Sequence, residues 1–419
     1  MAHHLVIQLA RFGDIIQTKR LLLSLAAVSD DTVHLAVDVS LVSFARRMYP
    51  FAVVHEIHAH ATNTGATEVL LHNRSSFAAL AKVSFASVYN LNFSGMALAL
   101  AGLFDPDSVR GYTRRNGQAF RSRWFRMGVR WMGNRRIAPV NLVDFWAYLH
   151  PNPVAPVTVN PEAKPGGGGK LAIVAAGRDA RRSLPPEVLA PLVESAFAVW
   201  GGPEIVILGS SAERVFSRKL TRLLHPAVLQ KVDDACGRTN LTDISDILMG
   251  CDLVMTPDTG IMHLAAHLGI PVQAFFLSSA WCFETGPYGN GHTVFQATRS
   301  CAPCVEKRPC PHTTACLAAF AAPELHRVMR GKNPKGWPEN LVVCATHCDD
   351  FGCDYVLRQG ELPELESRGA LRALLAEYCD RETGCAAISR SFESVFHETD
   401  WMLPPSDAGG RLCGFPQGE

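Results

Sequence analysis

Residues 252–276, DLVMTPDTGIMHLAAHLGIPVQAFF, place a short turn between an apolar run and a helical pattern. DLVMT predicts a buried strand, PDTG a tight turn, GIMHLAAHLG a helix and PVQAFF the next strand. The first N–H groups of a helix have no intrahelical partner, so this helix start predicts an anion-binding site. Gly260 would let a phosphate approach closely, and the Thr259 hydroxyl can donate to it. Asp258 is either part of that site or an N-cap, and His263 either faces the ligand or lies in the core.

Short apolar runs alternate with helical patterns on both sides of this stretch. The strand-like runs are LVIQL, VHLAVD, VVHEIH, TEVLLHN and SVYNLNF in the first half, and LAIVAA and EIVILG in the second. Residues 150–170 separate the halves with five prolines and four consecutive glycines, a composition typical of a hinge. The pattern predicts two parallel α/β sheets, with a ligand in the cleft at the carboxyl ends of their strands.

Length, charge and composition exclude several classes of protein. The 419 residues are enough for two domains, and 40 basic against 39 acidic residues leave a net charge of +1. That balance excludes a globally basic nucleic-acid-binding protein. The N-terminal residues lack the features of a signal peptide, and no run reaches the roughly 18 apolar residues of a membrane span. We therefore expect a cytoplasmic protein whose 13 cysteines are free thiols or metal ligands rather than disulfides.

A second loop, RFGDIIQTKR at residues 11–20, follows the first predicted strand. Gly13 allows a tight turn there, and Asp14 falls at or next to the N-cap of the following helix. Asp14 is then either a cap alone or a carboxylate that points into the cleft between the two halves. In the second case it is placed to accept a proton from a substrate.

The two loops together resemble glycosyltransferase family 9, the ADP-heptose heptosyltransferases. The similarity rests on RFGDIIQTKR and PDTGIMHLAAHLGIPV, on NRRIAPVNLVDFW at 134–146, and on GPYG and CAPC further along. It covers about residues 4–330. The family implies a GT-B fold, an α/β architecture of two Rossmann-like domains facing each other across a cleft. We expect an acceptor domain at residues 1–155, a nucleotide-sugar domain at 168–330 and a Cys-rich C-terminal extension at 331–419.

The resemblance also implies roles for individual residues. Asp14 matches the general base, and Arg182 stands where the family usually has a lysine that contacts the donor's phosphates. Because arginine binds anions through a planar fork of donors, this exchange keeps the charge and changes the geometry. Glu213 matches the acid that binds the ribose hydroxyls of the donor. The implied donor-site residues are Gly13, Gly177, Arg178, Glu213, Asp258, Thr259, Gly260 and His263.

These roles predict an inverting transfer of heptose from ADP-heptose to a lipopolysaccharide inner-core-type acceptor. The acceptor hydroxyl attacks the anomeric carbon of the sugar, and Asp14 takes its proton. Arg182 and the helix start at Thr259 stabilise the negative charge that grows on the leaving ADP. The prediction includes no catalytic metal and no other cofactor for catalysis.

An arginine-rich stretch is the candidate binding region for the acceptor. Nine arginines and no acidic residue lie between Asp107 and Asp144, and aromatic residues recur among them at helical spacing. The stretch is either a basic amphipathic helix that meets anionic lipid or a lipid-linked sugar, or an ordinary helix whose aromatic stripe lies in the core. The first alternative adds peripheral contact with the inner membrane. We expect no nucleic-acid binding, because no recognised module accompanies the stretch. The candidate acceptor-binding residues are Arg121, Arg123, Arg126 and Arg130.

Two groups of cysteines are candidates for metal sites. The first has the spacing C-x2-C-x5-C-x5-C, which fits a structural zinc or iron ion that would staple a loop near the donor cleft. The alternative is a set of reduced thiols without metal. The members of the first group are Cys301, Cys304, Cys310 and Cys316. The second group is more loosely spaced and comprises Cys344, Cys348, Cys353, Cys379 and Cys385.

Three other functions are compatible with the same motifs. A heptosyltransferase that modifies proteins, using a protein-linked acceptor, would share the donor motifs and differ in its acceptor surface. A nucleotide-sugar epimerase would share the two-domain fold and need no acceptor site, so the arginine-rich stretch argues against it. A non-catalytic GT-B scaffold would have lost turnover, an alternative suggested by the departures from the family pattern at Gly177, Arg178 and Arg182.

Overall fold

The structure is a computed structural model that describes residues 2–28, 30–60, 65–175, 180–277, 279–304, 308–333 and 336–379. Within them, two mainly parallel sheets lie on either side of the hinge predicted at residues 150–170. Each sheet has the strand order of a Rossmann fold. In that fold ligands bind beyond the carboxyl ends of the strands, where the strand order reverses.

Six strands form the first sheet. They are β1 (His3–Ile7), β2 (Thr32–Asp38), β3 (Val53–Ile57), β4 (Phe85–Asn90), β5 (Val109–Arg115) and β6 (Gln118–Arg121). Their order is β3-β2-β1-β4-β5-β6, with β6 antiparallel to β5 and the other pairs parallel. The central strand and β2 are largely buried, as a parallel sheet covered by helices on both faces requires.

The helices of the first domain correct two details of the sequence prediction. TEVLLHN, taken as a strand-like run, lies within a helix, and its Leu70 and Leu71 are exposed rather than buried in a sheet. Phe120 and Arg121, taken as part of the arginine-rich helix, lie on β6. The helices are α1 (Phe12–Gln17), α2 (Lys19–Ala26), α3 (Val42–Met48), α4 (Ala66–Leu80), α5 (Gly95–Ala101), α6 (Arg123–Met132) and α7 (Leu142–Ala147).

Eight strands form the second sheet. They are β7 (Lys170–Val174), β8 (Glu204–Leu208), β9 (Val232–Asp234), β10 (Leu253–Pro257), β11 (Val272–Phe276), β12 (Thr293–Ala297), β13 (Leu341–Cys348) and β14 (Cys353–Gln359). Their order is β14-β13-β12-β11-β10-β7-β8-β9, and the hairpin β13–β14 is antiparallel. The expected C-terminal extension at 331–419 therefore supplies two strands to the sheet of the second domain.

The helices of the second domain follow the strands as the sequence pattern predicts. They are α8 (Pro186–Val199), α9 (Arg214–Leu223), α10 (Pro226–Leu229), α11 (Leu241–Met249), α12 (Gly260–His267), α13 (Cys282–Thr285), α14 (Pro323–Met329) and α15 (Leu365–Tyr378). None of the helices in the described part of the chain is both long and apolar enough to cross a membrane.

A buried ion pair of the first domain is bonded by groups of the second domain beside the hinge. Nη1 of Arg20 donates to Oδ1 of Asp144 at 2.6 Å, and the Tyr288 hydroxyl donates to the same oxygen at 2.6 Å. The backbone N–H of Cys353 donates to Oδ2 at 2.9 Å. A Cβ on Gly352 would lie 2.2 Å from Oδ2, so only glycine lets the hairpin approach this carboxylate. We call Arg20, Asp144 and Tyr288 the hinge cluster; its carboxylate has a hydrogen-bond donor on each oxygen.

The last helix, α15, returns to the first domain. Nε of Arg368 donates to the carbonyl of Ala138 at 3.0 Å, and Nη1 of Arg372 donates to that of Pro139 at 2.9 Å. The two guanidiniums also lie 2.6 and 3.5 Å from the carboxylate of Asp354. Burial disfavours ionisation of Asp354, but the two arginines outweigh it and lower its pKa to about 2. The C-terminal hairpin and helix thus bridge the two domains.

Candidate active site

The helices that follow β1 and β10 meet at their N-termini. A Cβ on Gly13 would lie 3.0 Å from Cα of Gly260, and a Cβ on Gly260 would lie 2.3 Å from Cζ of Phe12. The two glycines therefore permit the close approach of α1 and α12. The ring of Phe12 covers the face of Gly260 at which the sequence predicted a phosphate. The carboxyl ends of the two sheets consequently face each other at this contact.

Asp14 lies in the first turn of α1, half-buried at the cleft. Its Oδ2 accepts the backbone N–H of Arg11 at 2.9 Å, which is a helix-capping contact. Burial raises the pKa of Asp14, and the N–H and charge of Arg11 oppose the shift. Asp14 also acts electrostatically on Asp258 across the cleft. Asp14 therefore takes part in capping α1 and also lies at the cleft, and its role as the proton acceptor stays a prediction.

The start of α12 places an aspartate beside an arginine. The N-cap is Thr259, whose Oγ1 accepts the N–H of Met262 at 3.4 Å. The interpretation of Asp258 as the cap is wrong, because this residue precedes the cap and its Oδ2 lies 3.6 Å from Nη1 of Arg182. Burial raises the pKa of Asp258 to about 6, although Arg182 and Arg135 favour its ionised form.

Two basic side chains lie behind the contact of α1 with α12. His263 is buried, with its ring close to Gly13, and burial lowers its pKa to about 4, so it is neutral at pH 7. Nζ of Lys19 donates to Oδ1 of Asn160 at 2.9 Å, and burial lowers the pKa of Lys19 to about 8. With Tyr288 they line a crevice of about 10 Å³. His263 is therefore a core histidine that also borders the site.

Three residues that the sequence did not single out complete the charged part of the cleft. Arg135, from the first domain, forms an ion pair with Glu284 and donates from Nη1 to the carbonyl of Ser279. The Ser279 hydroxyl accepts from Nε and Nη2 of Arg182 at 3.3 and 3.1 Å. Two features of the sequence could have indicated these residues. Arg135 lies in NRR, within the stretch that resembles the family, and Glu284 lies shortly before GPYG. We call Arg135, Arg182, Asp258, Ser279 and Glu284 the cleft cluster.

The remaining implied donor residues lie apart from this cluster or outside the described residues. Glu213 follows β8, one strand away from β7, and is half-buried. Its Oε2 accepts the N–H of Ser210 at 2.7 Å, a capping contact ahead of α9. Gly177 and Arg178 lie outside the described residues.

The arginine-rich stretch divides between core and surface. Trp124 and Trp131 are buried and pack against Phe145, which confirms the alternative that places the aromatic stripe in the core. Arg121 is also buried, with its guanidinium over the rings of Phe93 and Tyr112, 5.5 and 5.6 Å from their centroids. The other candidate residues lie on α6, Arg126 and Arg130 half-buried and Arg123 with its side chain outside the description.

The first cysteine group follows β12, and its last member, Cys316, lies in a short 3-10 helix (Ala315–Ala319). Burial raises the pKa of Cys316, and the nearby sulfurs of Cys301, Cys310 and Cys304 add to this shift. Sγ of Cys310 accepts the N–H of Thr314 at 3.3 Å, a bond that lowers its pKa and favours the thiolate. Even so, no three His, Cys, Asp or Glu side chains in the described part of the chain are placed as ligands of one metal ion. The metal site stays a prediction.

The second cysteine group does not assemble as one site. The thiol of Cys344 hydrogen-bonds with that of Cys282, and Cys348 pairs with Cys353 across the hairpin. Burial raises the pKa of Cys282 and of Cys353 well above the usual thiol range. Cys385 lies outside the described residues. Cys344, Cys348 and Cys353 are core side chains, and Cys379 is half-buried. Because the described residues include no group placed to hold a metal ion and Cys385 lies outside them, the second metal site also stays a prediction.

The match to a known sequence family lies in the second domain. Residues 200–313 match the family model described as Glycosyltransferase family 9 (heptosyltransferase). Lipopolysaccharide heptosyltransferase 1 of Pseudomonas aeruginosa is 32% identical over 99 residues, 24% of this chain and 26% of that protein. Lipooligosaccharide heptosyltransferase 2 of Campylobacter jejuni is 28% identical over 110 residues, 26% of this chain and 34% of that protein. The matches thus span about a third or less of these relatives' length.

Comparison with solved structures extends the similarity to both domains. A family 9 glycosyltransferase from Veillonella parvula superposes with a TM-score of 0.56 and 15% identity, over 71% of this chain and 88% of that one. The ADP-heptose lipopolysaccharide heptosyltransferase II of E. coli gives a TM-score of 0.51 and 15% identity, over 70% and 90%. These superpositions confirm the GT-B fold. In its second domain the chain matches glycosyltransferase family 9, and in its fold it resembles the heptosyltransferases of that family.

Proposed function

We propose that the protein is an inverting glycosyltransferase that moves heptose from ADP-heptose to a lipopolysaccharide inner-core-type acceptor. One observation carries the proposal: Asp14 of the first domain stands opposite Arg182, Asp258 and the start of α12 in the second. The family match of the second domain and the names of the curated relatives support heptose as the sugar.

Asp14 is the proposed general base. The attacking hydroxyl of the acceptor must lose a proton as it bonds to the anomeric carbon, and a carboxylate within reach can accept it. The raised pKa of Asp14 makes its carboxylate a better proton acceptor than that of an exposed aspartate. A single displacement of this kind inverts the configuration at the anomeric carbon.

The leaving diphosphate gains negative charge in the same step. Arg182 can stabilise that charge through its guanidinium, and the first N–H groups of α12 add the partial positive charge of a helix start. Charge stabilisation by these groups needs no cation, so we propose catalysis without a metal. Glu213 is proposed to bind the ribose of ADP, and Gly177 and Arg178 are proposed to bind its phosphates.

The acceptor is proposed to contact the first domain. Arg123, Arg126 and Arg130 lie on α6, where positive charge suits a phosphorylated or carboxylate-bearing, lipid-linked sugar. Arg121 is buried with its guanidinium over two aromatic rings, so its proposed part is to support the wall of this domain. A lipid-linked acceptor would place the enzyme at the cytoplasmic face of the inner membrane.

The loop of Cys301, Cys304, Cys310 and Cys316 is proposed to bind a structural zinc or iron ion. The supporting observations are the spacing C-x2-C-x5-C-x5-C and the N–H bond to Cys310, an outer contact that favours a metal-binding thiolate. Metal analysis of the purified protein, with Cys310→Ser and Cys316→Ser as variants, tests this. About one equivalent of metal in the wild type and none in the variants is expected.

The function is tested by incubating the protein with ADP-heptose and a heptose-free lipopolysaccharide acceptor and following ADP release. We expect Asp14→Asn to lower turnover by about 10²- to 10⁴-fold while ADP binding survives. Asp107→Asn is the matched control, because Asp107 is a highly exposed carboxylate of the same domain. It should turn over like the wild type.

Other outcomes would contradict parts of the proposal. Unchanged turnover in Asp14→Asn rejects the proposed base. Transfer to a protein but not to the lipid-linked sugar would change the acceptor class. Interconversion of a UDP-sugar without an acceptor indicates an epimerase. No binding of any nucleoside diphosphate, measured by calorimetry, would leave a non-catalytic scaffold.

A further inference from the structure

An arginine of the first domain makes its contacts in the second domain. Arg135 begins a short 3-10 turn (Arg135–Ile137) that follows α6. Its guanidinium pairs with Glu284 of α13 and donates to the carbonyl of Ser279, which follows β11. The side chain of Arg135 is 27% exposed and that of Glu284 is 12% exposed. Arg135 therefore reaches across the cleft and is held there by a largely buried carboxylate.

Ser279 links this arginine to the proposed phosphate-binding arginine. Its backbone carbonyl accepts from Arg135, and its side-chain hydroxyl accepts from Nε and Nη2 of Arg182. Two hydrogen bonds to one oxygen fix the edge of the Arg182 guanidinium that carries Nε. Ser279 therefore contacts both arginines, and together with Asp258 it orients the guanidinium of Arg182.

The backbone turn that carries Arg135 is fixed through its neighbour in the sequence. The next residue, Arg136, donates to the carbonyls of Thr298, Arg299 and Ala302 and lies 4.9 Å from the ring centroid of Trp281. The turn that carries Arg135 is therefore tied to the second domain at several points. Arg135 can be in place only when the first domain has closed on the second.

We propose that Arg135 is a positioning residue that sets the guanidinium of Arg182 through Ser279 and so completes the donor diphosphate site on domain closure. The proposal rests on the proposed function, in which Arg182 binds the diphosphate. Arg135 need not touch the donor. Its removal should weaken donor binding only through Arg182, which distinguishes it from a second, independent phosphate ligand.

The test is a double-mutant cycle on the full-length protein with ADP as the probe. The dissociation constant of ADP is measured by calorimetry for the wild type, Arg135→Ala, Arg182→Ala and the double variant. We expect Arg182→Ala to weaken ADP binding by about 10- to 100-fold. We expect Arg135→Ala to weaken it by about 3- to 30-fold and to have no further effect in the Arg182→Ala background. Ser279→Ala should weaken binding in the same direction as Arg135→Ala.

Arg47→Ala is the matched control, because Arg47 also forms an ion pair with the other domain, to Asp246, on an exposed surface. It should bind ADP like the wild type. Equal losses from Arg135→Ala in both backgrounds, or no loss at all, would overturn the proposal and leave the proposed function standing. Failure of the wild type to bind ADP overturns both, so the two failures are distinguishable.

Discussion

The hinge cluster and the cleft cluster use the same chemistry in different surroundings. In the hinge cluster the pair Arg20–Asp144 is separated by 2.6 Å and both side chains are fully buried. In the cleft cluster the pair Arg182–Asp258 is separated by 3.6 Å, and the side chains are 27% and 10% exposed. One pair is closed to solvent and tightly bonded, whereas the other is looser and reachable from the cleft.

The difference in burial and separation indicates that the two ion pairs have different roles. A buried ion pair is strongly destabilising when one partner is removed, since the other is left charged without compensation. A partly exposed pair contributes little to stability and can exchange its partner for a ligand of like charge. The hinge cluster therefore holds the domains together, and the cleft cluster is suited to exchanging the Asp258 carboxylate for a phosphate.

The largest effect is expected from breaking the hinge cluster. Asp144→Ala leaves the guanidinium of Arg20 buried without its carboxylate, so the free energy of unfolding should fall by about 3–5 kcal/mol. Urea denaturation measures this. Tyr288→Phe removes one hydrogen bond to the same oxygen and should lower that free energy by only about 1–2 kcal/mol. A loss below about 1 kcal/mol in Asp144→Ala would contradict the assignment.

A pH profile distinguishes the aspartate of the cleft cluster. The pKa of Asp258 is about 6 in the folded state against 3.8 as the ordinary value, so the folded state binds the proton more tightly. The stabilisation that this raised pKa contributes is therefore fully present below about pH 4 and is lost as pH rises through 6. Asp258→Asn has no carboxyl group to ionise, so its stability should not fall in this way. At pH 7 its free energy of unfolding should be up to about 3 kcal/mol higher than that of the wild type.

Asp354→Asn should change the pH dependence of stability in the opposite direction. The pKa of Asp354 is lowered to about 2, so its stabilisation is present above pH 4 and is lost as pH falls towards 2. This variant should be less stable than the wild type at pH 7 and approach it in acid. Parallel pH profiles for the wild type and Asp258→Asn would show that burial of Asp258 has no such effect.

Arg182→Lys tests whether the cleft cluster acts in binding rather than in stability. Arg182→Lys, which introduces the residue usual in the family, should bind ADP within about tenfold of wild type, because the charge is kept and only the forked geometry is lost. Its free energy of unfolding should change by less than about 1 kcal/mol. Calorimetry and urea denaturation check the two quantities. A large loss of stability would place Arg182 with the hinge cluster instead.

The smallest effect is expected at the exposed interdomain pair Arg47–Asp246, whose side chains are 42% and 54% exposed. Arg47→Ala should lower the free energy of unfolding by less than about 1 kcal/mol, and the effect should shrink further in 1 M salt. Thermal unfolding at two salt concentrations measures it. A loss comparable to that of Asp144→Ala would show that burial does not separate the two classes of ion pair.

The sequence predicted those parts of the fold that depend on local pattern. Residues 252–276 contain strand, turn and helix because each has its own periodicity and Thr259 supplies the cap. TEVLLHN was wrong as a strand because its apolar residues lie on an exposed helix, where they mark no buried face. The hairpin β13–β14 was missed because its pairing with β12 joins residues that are 44 to 52 positions apart in the sequence.

The same limit applies to the site. Asp14 and Asp258 were predictable because each follows a strand at the carboxyl edge of its sheet. Arg135 and Ser279 were not, because their contact joins residues 144 positions apart and leaves no local pattern. Cysteine spacing could not tell core thiols such as Cys344 from ligands, since burial is decided by the sheet in which the residue lies.

The return of α15 to the first domain has a consequence for biosynthesis. The bonds of Arg368 to Ala138 and of Arg372 to Pro139 span 230 and 233 residues, and the bond of Arg20 to the Phe351 carbonyl spans 331. Contacts of such sequence separation form late, while N-terminal domains start to fold during synthesis. The first sheet therefore leaves the ribosome well before the chain that seals its surface. Ribosome-bound chains that end before the C-terminal hairpin should hold a first domain that is more open to proteases than the same domain in the released protein.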